Sequence, residues 1–370
     1  MKPHHGGKYQ YTLSFINALS EKKIIVLSSI NEWKDLLPKK FIFQKLEKDS
    51  FFLKFFKQFL RLSGIGLILI RKFGDKLFNL NRCLKELNPD FVVFPGGENM
   101  SYESIYPSIT PVFDIMHKYE QFPEISNYLT LKLRDIHYNN VLKYCSKILV
   151  DSNLGARQLT ESYDKNLKYK NKIYKLYYTY PSYINMLKNK KKALYTDKYI
   201  FYPAQFWAHK NHSNLIKAVK ILIDKKFNIK LILVGSKKNN YNKVIGQIQK
   251  LNLSDNIIVL DYVSNEDLVN LYENAYCCVM PSYLGPTNIP QIESIALNCP
   301  VIISDKYASR EQMENAALYI DPNDPNDIAT KILSLKNINL RNDLIKNGGL
   351  VLKKLGNKRF KESLTKIIYE

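Results

Sequence analysis

Two short segments carry residue types suited to a diphosphate and to the hydroxyl groups of a sugar. In Met280–Ser304, MPSYLGPTNIPQIESIALNCPVIIS, the apolar run Ala275–Pro281 has no helical period, and Gly285-Pro286-Thr287-Asn288 is turn chemistry. A helix then opens near Ile289-Pro290. Proline in a first turn forfeits no hydrogen bond, and the other free N–H groups there, at the positive dipole end, suit a diphosphate approached by Thr287, Asn288 and Ile289. Glu293 lies about one helical turn further in, where a carboxylate can accept hydrogen bonds from a ribose diol. In the second segment, Tyr199–Ala204 (YIFYPA) reads as a strand, Gln205–His212 (QFWAHKNH) as a loop, and Ser213 opens the amphipathic helix SNLIKAVKILIDKK. Loops at the carboxyl ends of strands are where open α/β sheets bind ligands. Lys210 there supplies a point charge that can clamp a departing phosphate. Each segment also has a plain structural reading: a helix packed between buried strands, and a solvated lysine beside an anchoring Trp207.

Both segments resemble glycosyltransferase family 4. Its usual loop is E-G-F-G-L-P-x-x-E-A; Glu293 matches the second Glu, and Gly285 stands where the first would be. The GPTNIP and PAQFW-x-HKNH forms are similar to a subgroup rich in mannosyltransferases of bacterial surface polysaccharides, and Gln205 occupies a position that is commonly Arg. Asp114-Ile115-Met116-His117-Lys118-Tyr119-Glu120-Gln121-Phe122-Pro123-Glu124 resembles the stretch H-D-L-x-H-R-Y-x-P-x-F, with Phe113 in place of its leading His. The resemblance implies that Asp114 and His117 form a polar pair near the reacting carbon. Without it they read as a loop-capping Asp and a surface His. Gly235 and Tyr262-Val263, each after a strand, match positions bordering the nucleotide, and Ser304–Pro322 matches the end region. Gly6-Gly7, after His4-His5, would let backbone N–H groups approach the donor phosphate; the bland reading is a flexible terminus.

The family implies a GT-B fold of two Rossmann-like, doubly wound parallel-sheet domains with a cleft between them. It also implies a retaining reaction without cofactor or metal. The donor expected is GDP-mannose or a UDP-sugar, and the acceptor a lipid-linked or oligosaccharide glycan. The catalytic residues expected are Lys210, Asp114 and His117; the donor-binding residues are Gly6, Gly7, Gln205, Gly235, Val263, Thr287, Asn288, Ile289 and Glu293. Two other classes remain open: a non-catalytic fold that binds nucleotide sugar or a partner enzyme, and a GT-B epimerase of sugar nucleotides. The family also opens with a buried strand before the Gly-Gly loop, whereas only a few residues precede Gly6 here. A gap near the centre of the first sheet is expected, together with a reading frame that extends upstream or a degenerate copy.

At 370 residues two domains are expected, with 45% hydrophobic and 24% charged residues in the range of soluble globular chains. No apolar run approaches a spanning length, and the longest in the basic middle of the N-terminal half is Ile65–Ile70. The five cysteines, Cys83, Cys145, Cys277, Cys278 and Cys299, lack metal spacing and read as buried thiols in a reducing cytoplasm. The net charge of +21 is dispersed, without a nucleic-acid-binding signature. In Phe51–Leu62, FFLKFFKQFLRL, Lys54, Lys57, Gln58 and Arg61 share one helical face and Phe51, Phe52, Phe55, Phe56 and Phe59 the other. Such a helix can lie in an anionic membrane interface, placing a cytoplasmic protein on the inner face of the membrane, or can face the core with its basic edge solvated.

The positioning elements alternate. In the first half helices are expected at Tyr9–Leu19, Phe51–Leu60, Asp75–Leu87 and Leu131–Tyr144, and strands at Ile24–Ser28, Phe91–Phe94, Thr110–Phe113 and Lys147–Val150. In the second, strands are expected at Tyr199–Ala204, Lys230–Val234, Ile257–Leu260, Tyr276–Met280, Pro300–Ser304 and Leu318–Ile320, with Ser264 and Asp324-Pro325 starting helices. The Lys188–Lys192 charge run marks a boundary, dividing the chain into 1–190, 191–350 and a C-terminal helix within 351–370 that crosses back onto the first domain.

Overall fold

The computed structural model describes residues 6–19, 24–62, 66–188, 192–285 and 287–369. His4-His5, Ile65, Pro286 and residues 189–191 of the linker lie outside them.

The second half is a six-stranded parallel sheet of β7 (Tyr199–Pro203), β8 (Lys230–Val234), β9 (Ile257–Leu260), β10 (Cys277–Met280), β11 (Val301–Ser304) and β12 (Ala317–Ile320), in the order β12-β11-β10-β7-β8-β9. Helices cover both faces, so strands such as β10 and β11 are buried throughout and read as continuous apolar runs. Ser264 accepts a hydrogen bond from Asp267 N, and Asp324 from Asn326 N, each starting a helix as the sequence indicates. The order reverses at β7. From there the chain steps outward to β8 and β9, then returns to lay β10 on the other side of β7, through Cys277 opposite Ile200 and Cys278 opposite Phe201. The loops after β7 and β10 therefore meet at the switch point of the sheet.

In the first half, the described strands form two parallel sheets. One pairs β1 (Ile25–Ser28) with β2 (Ile42–Lys45), and the other orders β3 (Val92–Val93), β4 (Ser108–Val112), β5 (Lys147–Val150) and β6 (Ile173–Lys175) in sequence. No described strand bridges β1 and β3. Leu27 of β1 and Val92 of β3 nevertheless pack against the same cluster of Leu80, Leu84 and Phe94. The helix expected at Asp75–Leu87 is two helices, Gly66–Leu77 and Asn79–Leu87, the first absorbing the described part of the apolar run 65–70. The break is Phe78, whose backbone is extended and whose ring is fully buried, while Asp49 accepts a hydrogen bond from Asn79 N to start the second helix.

The C-terminal helix Asn357–Tyr369 packs on the first half of the chain. Phe360 packs edge-on against Tyr11 and Phe15 of the helix Gly6–Ala18, at 6.0 and 5.6 Å between ring centres, and Lys147 at the start of β5 donates to Ile368 O at 3.3 Å. The five cysteines are buried and free. No described helix is long and apolar enough to cross a membrane.

Candidate functional site

The loops after β7 and β10 are tied together by Tyr283 N donating to His209 O at 2.8 Å. Asn211 holds them from behind: in a left-handed conformation with φ +56, its amide donates to Pro281 O at 3.0 Å and Pro322 O at 2.7 Å. Asn tolerates that backbone better than most residues. The backbone carbonyl of Lys210 accepts from buried Tyr202 OH at 2.8 Å. Its ammonium makes no hydrogen bond or ion pair within the described residues. Burial lowers its pKa to about 8, opposed by the nearby carboxylates of Asp114 and Glu124. A half-buried ammonium without a direct partner among the described residues can take an anion as its counter-charge.

The first domain meets these loops from the other side. Asp114, just past β4, accepts from Met116 N at 3.0 Å and lies in the field of Lys210. Asp151, at the end of β5, is buried and accepts from Thr287 Oγ1 across the seam between the halves and from Ser152 Oγ at 2.9 Å. Burial pushes its pKa up to about 7 against those two hydrogen bonds, with Asp114 and Glu311 raising it further. Gly6, at φ +61, and Gly7 begin the first helix, and a Cβ added to Gly7 would meet Ile289 Cδ1 at 3.8 Å. The glycine pair thus borders the loop carrying Thr287, Asn288 and Ile289.

The helix Ile289–Ala296 is buried between β10 and β11, with Pro290 in its first turn. Its opening N–H group, Asn288 N, is engaged by Gln312 Oε1 at 3.0 Å, so fewer donors remain for a diphosphate than the sequence suggests. Glu293 is buried and accepts from Tyr272 OH at 2.9 Å and Tyr183 OH at 3.4 Å. Burial raises its pKa to about 7, and the two hydroxyls oppose that rise. Tyr262 stands exposed after β9, beside half-buried Val263.

Other expected residues are placed differently. His117 points into the first domain, stacked on Tyr138 at 5.6 Å, with Nε2 2.9 Å from Tyr163 OH. Gln205 is exposed and accepts from Trp207 Nε1 at 2.9 Å. Gly235 has a packing reason of its own: a Cβ there would come within 2.2 Å of Ala204 O, so only glycine lets the ends of β7 and β8 approach. Gly285 is equally constrained, with φ +101 and Asn288 Oδ1 2.9 Å from an added Cβ. Gly285→Glu, which would restore the family's acidic residue, is therefore expected to cost about 1–3 kcal/mol of stability. An unchanged melting temperature for that variant would overturn this account of the loop.

In the sequence, Asp151-Ser152 resembles the family's strand ending in D-S, and Glu120 and Glu124 fall in the stretch after β4, but nothing there gives any of them, nor Glu311, a contact across the seam. Glu311 accepts from Asn153 N at 2.8 Å, from Leu154 N at 3.4 Å and from Tyr177 OH at 3.0 Å, capping a helix of the opposite domain. Glu124 accepts from His209 N at 3.1 Å and Asn239 Nδ2 at 2.9 Å, and also bonds His209 Nδ1. Glu120 pairs with Lys306 at 2.8 Å. The positions of Asp151, Glu120 and Glu124 after strands β5 and β4 were visible in the sequence, but their partners lie far off in the chain. No grouping of three or more His, Cys, Asp or Glu suited to a metal ion occurs among the described residues.

Residues 185–350 match the family model described as glycosyl transferases group 1. The O-antigen chain mannosyltransferase RfbU of Salmonella typhimurium is 33% identical over 132 residues, 36% of this chain and 36% of its own length. The O-antigen chain mannosyltransferase B of Escherichia coli is 29% identical over 136 residues, again 36% of each chain. These matches span little more than a third of the curated relatives. Among solved structures, Anabaena Alr3699/HepE in complex with UDP and glucose covers 100% of this chain and 97% of its own, with a TM-score of 0.73 at 13% identity. WaaG, a glycosyltransferase involved in lipopolysaccharide biosynthesis, covers 98% and 96%, with a TM-score of 0.68 at 13% identity. At such identities the likeness is one of fold. With two parallel-sheet halves meeting at Asp151 and Thr287, the chain has the GT-B fold, and its second half matches the model of the group 1 glycosyl transferases.

Proposed function

We propose that this chain is a retaining, metal-independent glycosyltransferase that moves a hexose from a nucleotide-diphosphate sugar to a growing bacterial surface glycan, such as a lipopolysaccharide O-antigen or a capsule. The observation that carries this reading is the unpartnered ammonium of Lys210 at the sheet's switch point, one strand away from the loop of Thr287–Ile289. In this reaction the bond from the sugar's anomeric carbon to the diphosphate breaks, and a bond to the acceptor oxygen forms on the same face. The departing diphosphate, neutralised by Lys210, takes the acceptor's proton, so no side-chain base is needed. Asp114 would orient the sugar or acceptor hydroxyls, and His117, engaged with Tyr163, would act by fixing that loop. A ribose diol would replace the longer of the two bonds to Glu293, that of Tyr183.

The two O-antigen mannosyltransferases among the relatives, together with the GPTNIP loop, favour mannose carried on GDP. The UDP in the fold neighbour, and Gly285 in place of an acid, favour a UDP-sugar instead. A thermal-shift panel of GDP-mannose, UDP-glucose and UDP-N-acetylglucosamine decides between them. A donor at about 100 times its Kd should add roughly 2.7 kcal/mol of stability, a shift of a few degrees. The outcome expected is a shift with GDP-mannose; a shift with UDP-sugars alone would overturn the mannose assignment. Gly285 and Gln205 also suit a non-catalytic binder. That reading, and the epimerase, are separated from transfer by incubating donor with and without acceptor. The acceptor proposed is lipid-linked or an oligosaccharide, met by a cytoplasmic enzyme on the inner face of the membrane.

A further inference from the structure

The basic and aromatic faces of Phe51–Leu62 lie opposite to the arrangement expected of a helix with a solvated basic edge. Lys57 is buried, its ammonium 2.8 Å from Glu103 and 3.6 Å from Asp49, and Arg61 is paired with the same Glu103, itself buried. Two cations are thus turned inward to neutralise a buried carboxylate, and the phenylalanines are turned outward. Phe51, Phe52, Phe55 and Phe59 are 86, 74, 71 and 63% exposed, with Leu62 beside them. The neighbouring helix Gly66–Leu77 packs alongside, and both helices direct their buried edges (Leu60, Leu67 and Ile70) to one core cluster. Its outer face carries Ile68, Leu69 and Phe73, all exposed, interleaved with exposed Lys72 and Lys76.

We propose that the outward face of this helical hairpin docks the protein on an anionic lipid surface. An exposed apolar patch of this extent on a water-soluble fold marks an interaction site. Its charge selects the occupant. Lys54, Lys72 and Lys76 are exposed on the hairpin, while its one acidic residue, Asp75, is paired with Lys85. A symmetric pairing of two copies through this patch would bring two sets of exposed lysines together with no unpaired carboxylate on either hairpin to offset them. A bilayer of anionic lipids accepts both features, because phenylalanines enter the acyl boundary while long lysine stems reach back to the headgroups. This inference deepens the membrane-facing part of the function proposed above and rests on that reading only for the acceptor, not for the donor.

The test is co-sedimentation with vesicles of phosphatidylcholine and with vesicles of equal parts phosphatidylcholine and phosphatidylglycerol, at low and high salt. The parent should pellet with the anionic vesicles and be released by salt. Lys54→Gln/Lys72→Gln/Lys76→Gln should weaken binding by about a hundredfold, as removal of three surface cations implies. Phe51→Ser/Phe52→Ser/Phe55→Ser/Phe59→Ser should abolish it while leaving the thermal shift by donor unchanged, since none of these positions touches the switch point. A parent that fails to pellet with anionic vesicles, or a phenylalanine variant that pellets like the parent, overturns the proposal. So does a parent that sediments as a dimer which the phenylalanine variant converts to monomer, the mark of a second copy as occupant. Failure here with an intact donor shift removes only the docking surface; loss of the donor shift in the parent removes the enzymatic reading.

Discussion

Lys210→Ala is expected to lower kcat by about 10²–10³-fold, the loss of roughly 2.7–4 kcal/mol of transition-state stabilisation typical of a donor aimed at developing charge. In the proposed transfer, negative charge on the diphosphate grows as the sugar departs, so the effect should fall on kcat more than on donor affinity. The same lysine predicts a pH limb. Burial brings its pKa to about 8, and the ammonium is the useful form, so kcat/KM of the free enzyme should fall as pH rises through that value. Lys210→Arg should carry the limb beyond the accessible range, since a guanidinium stays protonated there. Asp114→Asn should move it lower, because that carboxylate is one of the two that hold the lysine's pKa up. A Lys210→Ala enzyme with near-normal kcat at saturating donor would remove the lysine from the mechanism.

What could be read from the chain follows from how far apart the interacting residues are. Strands Lys230–Val234 and Ile257–Leu260 have the bounds their apolar runs indicate, because a parallel strand covered on both sides tolerates little else. The placement of Lys210 after β7 and of Glu293 after β10 was legible because each sits on a single strand-loop-helix unit whose turn chemistry is local. The inversion of Phe51–Leu62 was not. Periodicity shows that a helix has two faces, but which one turns inward was decided by Glu103, which belongs to a different helix. The seam was equally hidden. Thr287 and Asp151 are separated by 136 residues and Asn153 and Glu311 by 158, and nothing local to either partner announces the other. The divided helix at Phe78 failed for a related reason: its extended backbone is held by the burial of its ring and by Asp49, neither visible in the apolar period.

Asp151 and Glu293 set the last expectation, a loss of stability as pH rises. Their ordinary values are 3.8 and 4.5, and burial lifts both to about 7 in the folded chain. Below pH 4 or so each carboxyl is protonated in the folded and unfolded states alike, and neither opposes folding. Between that point and pH 7 the unfolded chain releases its protons while the folded chain keeps them, so the unfolded state gains and stability falls. Above about pH 7 both states are ionised and the loss is complete, on the order of 3–4 kcal/mol per group. Other groups titrate in the same span, including His209, whose burial lowers its pKa to about 4, so a single melting curve mixes several contributions. The difference between parent and variant isolates one. Asp151→Asn and Glu293→Gln keep shape and hydrogen-bonding capacity without a charge. Each should match the parent's stability near pH 3 and exceed it at pH 8, with a gap that opens between those limits. Urea unfolding at a series of pH values measures it. A gap that is constant with pH, or largest in acid, would mean that these carboxyls are ionised in the folded chain well below neutrality, and that Thr287 and Tyr272 bind carboxylates rather than neutral acids.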